Sequence, residues 1–77
     1  MANSSLGLSK DVTPNDSNEL PEFNWLMVTG TAGDVTLELK GGSTPTLSDV
    51  PVGVWIPCGN AIKVMSTGTA AVGIMVV

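Results

Sequence analysis

One thiol, Cys58, seven carboxylates and three lysines are the only side chains in this sequence on which acid–base, nucleophilic or metal chemistry could draw, since histidine and arginine are absent. A Ser-His or Cys-His pair therefore has no base. Cys58 stands between Pro57 and Gly59, where a turn would expose it, but no neighbouring cation in the sequence lowers its pKa. An inert thiol is the expected reading. Asp11, Asp16, Glu19 and Glu22 cluster near the N-terminus, whereas Asp34, Glu38 and Asp49 are scattered. Asp16 and Asn18 with nearby carbonyls offer oxygen ligands to a hard cation, but the spacing of a calcium loop is missing and a solvated acidic segment is the simpler account. Gly30, Gly33, Gly41 and Gly42 form no phosphate cradle, because no helix follows them and no Gly-Lys-Ser or Gly-Lys-Thr is present. No catalytic residue, metal ligand or cofactor site is expected, and the chain does not read as an enzyme.

The remaining side chains with binding potential are large and apolar. Trp25 and Trp55 would serve either as a stacking platform for a sugar or nucleic acid, or as anchors in a protein interface, where aromatic residues and methionine are enriched. Three lysines against seven acids give a net charge of −4, which argues against a phosphate backbone as partner. No apolar run has the length of a membrane-spanning helix. The opening Met-Ala-Asn-Ser-Ser lacks the basic-then-apolar pattern of a secretory signal. Neither nucleic acid nor membrane is an expected partner. The residues expected at an interface are Phe23, Trp25, Met27, Trp55 and Met75.

Short strands must position these residues. Val35, Leu37 and Leu39 alternate with Thr36, Glu38 and Lys40, the period of a half-buried strand. Phe23 to Val28 places Phe23, Trp25 and Met27 on one face and Leu26 and Val28 on the other. Thr29 to Asp34 reads as a hairpin connection, and Gly41 to Pro45 as the next turn. Thr46 to Val50 is a short strand limited by Pro51, which has no amide hydrogen to donate. Val52, Val54 and Ile56 alternate as a further strand closed by a turn at Pro57-Cys58-Gly59-Asn60, and Ala61 to Ser66 follows. Ala70 to Val77 is apolar on both faces, so it should lie inside a sheet or be capped by another chain. No segment keeps a helical period. The expected fold is all-β, a small antiparallel β-sandwich or barrel of about six short strands.

Residues 1–22 read as an extended N-terminal arm, with an Asx-type turn at Thr13-Pro14-Asn15-Asp16, and residues 23–77 as a single β-domain. A chain of 77 residues buries only about 60% of its unfolded surface and is marginal alone. One cysteine excludes an internal disulfide and no metal set is present, so oligomerisation is the remaining support. Hydrophobic residues at 43% and charged residues at 13%, half the usual charge content, agree with a partly covered surface.

The order of four segments carries a resemblance. Asp11-Val-Thr-Pro-Asn-Asp, Val28-Thr-Gly-Thr-Ala-Gly-Asp-Val-Thr, Val50-Pro-Val-Gly and Met65-Ser-Thr-Gly-Thr-Ala-Ala together resemble small bacteriophage and gene-transfer-agent virion proteins of the head-spike base type. The resemblance implies a β-structured capsid-surface protein, made in the host cytoplasm and carried on the virion. Its implied partners are copies of itself in a trimer or pentamer, the major capsid protein, and a spike or fibre. Roles as a cement (decoration) protein, as a tail-associated subunit, or as a carbohydrate-binding or adhesion module stay open.

Overall fold

The computed structural model describes residues 10–77; residues 1–9 of the expected arm lie outside the described residues. Six strands form, β1 (Lys10–Val12), β2 (Phe23–Thr31), β3 (Gly33–Leu39), β4 (Thr46–Val50), β5 (Ile56–Met65) and β6 (Val72–Val76). They make one antiparallel sheet in the order β1-β6-β2-β5-β3-β4, which is not closed. The all-β antiparallel expectation therefore holds, and no helix occurs among the described residues.

The alternation at Val35 to Leu39 becomes β3. Val35 and Leu37 are buried, while Glu38 lies opposite Lys63 of β5 with an N–O distance of 3.3 Å. Thr36 is also buried, because the loop before β6 covers it. Its hydroxyl bonds Thr46 Oγ1 at 2.8 Å and donates to the Gly68 carbonyl at 3.1 Å, while its amide donates to Thr69 Oγ1 at 3.0 Å. A buried hydroxyl left without these partners would cost about 1–3 kcal/mol. The apolar C-terminal strand lies where its composition requires: β6 pairs with β1 on one side and β2 on the other.

Three local expectations are corrected. Thr29 to Asp34 is not a hairpin, because β2 and β3 run on opposite sides of β5. Gly30 and Gly33 permit close backbone approach there: a Cβ on Gly33 would stand 2.8 Å from the Ala71 nitrogen, and one on Gly30 2.6 Å from the Val72 carbonyl oxygen. Val52 to Ile56 is not a strand, and Pro57 to Asn60 is not a turn but part of β5. Gly59 and Asn60, with φ of 60° and 61°, bend that strand without reversing it. The arm itself adds a strand, β1, with Lys10 opposite Val76 and Val12 opposite Ile74.

Partial pairing would leave backbone groups open, and neighbouring segments satisfy them. Beyond Leu26, β2 leaves β5 and Val28 forms a parallel bridge with Val52, the Gly53 amide donating to the Val28 carbonyl at 2.9 Å. Beyond Ala61, β5 outruns β2 and the arm takes over. Leu20 donates to the Ile62 carbonyl at 2.7 Å and Asn15 to that of Val64 at 2.9 Å. The sheet encloses a core in which Leu26, Val28, Val35, Leu37, Val64 and Ile74 are fully buried, with Val12 and Leu20 of the arm packed against it.

Candidate interaction face

An inserted residue decides which aromatic side chains face outward. The amides of Asn24 and Trp25 both donate to the Val77 carbonyl, at 2.9 and 3.1 Å, and the register of β2 against β5 shifts between Phe23 and Trp25. This is a β-bulge. The Asn24 side chain holds it from the β5 side, its Oδ1 accepting the Asn60 amide at 3.1 Å. The extra residue turns Phe23 to the same side as Leu26 and Val28, so it is 2% exposed in the core and does not share a face with Trp25 and Met27, contrary to the alternation.

The opposite side of the sheet gathers four of the five residues expected at an interface. Met27 lies opposite Met75, and Trp25 opposite Pro57. The Leu26–Ile56 register, carried one residue further, brings Trp55 level with Met27. Trp25 is 45% exposed, and Met27, Met75 and Trp55 are half-buried. An apolar strip thus crosses β6, β2 and the start of β5. It is bounded by Asp11 of β1, opposite Met75, and by the Glu38–Lys63 pair further along the sheet.

The reactive side chains are placed for structure. Cys58 is half-buried, its Sγ donates to the Ile56 carbonyl at 3.5 Å, and burial pushes its thiol up to about 12, so it is no nucleophile near neutral pH. Asp16 is neither freely solvated nor a cation ligand. Its Oδ1 accepts the Ser66 and Thr67 amides at 2.8 and 2.9 Å, and its Oδ2 the Thr67 hydroxyl at 2.6 Å. The Thr67 side-chain bond, followed by the Thr67 amide, holds its carboxyl below the usual aspartate value. The Asx turn forms as expected, with Asn15 Oδ1 accepting the amides of Ser17 and Asn18. No group of three or more potential metal-ligating side chains occurs among the described residues.

Two features escaped the sequence reading. The exposed Val52, Val54 and Val72 flank the second half of β2. A groove of about 470 Å³ opens between β1, the arm and the end of β6, with Val12, Leu20, Phe23 and Val77 among its lining residues. The Pro51-Val-Gly-Val sequence was a signal for the first, since Gly53 has φ 83° and a turn there lifts valines outward. Nothing in the sequence marks the second.

The fold and its outward face define a small all-β protein built for contact with other proteins. No family model matches the chain, and no curated protein matches it. Among solved structures it is similar to a chain in the structure described as the capsid of a native GTA particle computed with C5 symmetry. The identity is 30% and the TM-score 0.75, over 90% of this chain and 80% of that one. The chain belongs to the family of that gene-transfer-agent capsid component, a virion structural protein.

Proposed function

We propose that this chain is a structural subunit of a tailed phage or phage-like particle, which sits on the capsid surface as a homo-oligomeric head-spike base or decoration protein. The observation that carries the reading is the gathering of Trp25, Met27, Met75 and Trp55 on one outward face, in a relative of a capsid chain. That face rests on the major capsid protein. Burial of apolar area contributes about 25 cal/mol per Å² before the costs of association, and repetition over many copies adds avidity.

The test is to produce particles carrying a tagged copy and to compare wild type with Trp25→Asp and Met75→Asp. The wild type should copurify with particles and both variants should remain in the unbound fraction, with circular dichroism unchanged. Full retention of both variants would refute this use of the face. Density at fivefold vertices would support a spike base and density at threefold positions a cement role, whereas density on the tail would overturn both.

A further inference from the structure

The groove and the exposed valines lie at different levels along the same pair of strands. Phe23 at the start of β2 and Val76–Val77 at the end of β6 line the groove. Val52 bridges Val28, and Val72 lies opposite Thr31, five and eight residues further along β2. At about 3.3 Å per residue these stand roughly 16 and 26 Å from Phe23. Val52, Val54 and Val72 are 46, 45 and 59% exposed, on a chain with little other large apolar exposure beyond Trp25.

Charge distinguishes the two regions. Lys10 lines the groove, and strand alternation puts it on the same side as Val12, which packs toward the core. Lys40 and Lys63 are engaged with Glu22 and Glu38, whereas Lys10 has no ion pair among the described residues. Asp49 is exposed at the root of the β4–β5 loop and has no ion pair among them either. Its φ of 51° turns the chain out of β4, and its amide is held by Asp34 Oδ1 at 3.0 Å. The loop therefore presents two valines beside an acid, and the groove an apolar lining beside a base.

We propose that the β4–β5 loop of one copy, led by Val52 and Val54, seats in the groove beside β1 of a second copy. The inference rests on the homo-oligomer reading above and names the surfaces that carry it. Because the two surfaces differ, the contact is head-to-tail: each copy gives a loop to one neighbour and a groove to another, the arrangement that builds rings when the rotation closes.

Two variants of the full chain test it, Val54→Asp in the loop and Thr13→Arg at the groove, both at exposed positions. Each alone should weaken self-association about 30-fold or more, as loss of an interface anchor does, with unchanged circular dichroism. If one misfolds, Val52→Asp or Asn18→Arg replaces it. Mixed in equal amounts, the two should form one-to-one dimers, because the first retains its groove and the second its loop. Light scattering reads all three samples. Intact assembly by both variants removes this contact and leaves the oligomer reading standing. Variants that stay monomeric when mixed point to a twofold contact and overturn the head-to-tail geometry. A wild-type chain that is monomeric at every concentration removes the oligomer reading and the contact with it.

Discussion

The bulge at Asn24 assigns Phe23 and Trp25 opposite duties, and a pair of alanine substitutions separates them. Phe23 is 2% exposed, so Phe23→Ala leaves a cavity in the core at a cost of about 3–5 kcal/mol. At roughly 0.05–0.15 kcal/mol per residue, a chain of 77 residues has about 4–12 kcal/mol in all. The substitution therefore removes a third or more of the stability, and with a urea slope of about 1 kcal/mol per molar the midpoint falls by about 3 M or the chain is unfolded outright. Trp25 is 45% exposed and lies on the other side of the sheet, so Trp25→Ala should change monomer stability by no more than about 1 kcal/mol. The assay is urea unfolding followed by circular dichroism, at a protein concentration below any self-association, because assembly adds its own stabilisation. Equal losses from the two substitutions, or a larger loss at Trp25, would refute the bulge and the face it creates.

Other substitutions report on other parts of the fold. Asp16→Ala should release the arm, seen as faster hydrogen exchange at Asn15 and Leu20 with the core unaffected. In the wild type, the folded carboxyl is held below its ordinary 3.8, so its contribution is complete above that value and is lost as pH falls through the lower folded value. Arm protection that is already declining between pH 7 and 5 would contradict the tie. Gly33→Ala forces a Cβ to within 2.8 Å of backbone and should cost about 1–3 kcal/mol. Gly41→Ala meets nothing within 4 Å and should be neutral or stabilising by up to about 1 kcal/mol, so a reversed order in thermal melts would count against the Gly33 packing. Cys58, with its thiol pushed up to about 12, should resist iodoacetamide at pH 8 in the folded chain and react readily in urea; equal rates would show that it is not shielded.

What the sequence made legible was periodicity over short runs. Val35, Leu37 and Leu39 announce β3, and the uncharged closing run announces an interior strand, which β6 is. The outward gathering of Trp25, Met27 and Met75 was half legible, because their spacing is right for one face but the alternation included Phe23. A one-residue bulge leaves no mark on hydrophobic spacing, and it is fixed by Val77 and Asn60, both remote in sequence. The passage of β5 through Pro57 was hidden for a related reason. At Pro57 the strand has β2 on one side only, since β3 pairs from Ala61 onward, so an amide-less residue costs no ladder bond there. Asp16 looked like an acid in a polar arm because its donors, Ser66 and Thr67, lie 50 and 51 residues away.

The edges of the sheet constrain how such a protein can associate. β4, at one edge, is five residues long, lies between Pro45 and Pro51, and leaves extended geometry at Asp49 with φ 51°. β1, at the other, has three residues, two of them Lys10 and Asp11. Short, charged and proline-bounded edges resist strand addition, so copies do not gain by continuing one another's sheet. Association is thereby diverted to side-chain surfaces: the face of Trp25 and the two methionines, and the loop and groove at different levels of β2. Each of these is small. A single copy would hold a shell weakly, and a ring that presents several Trp25 faces together raises the effective concentration of every further contact. Self-association and shell attachment are in that case linked, and weakening the loop–groove contact should loosen attachment to particles even though Trp25 and Met75 are untouched.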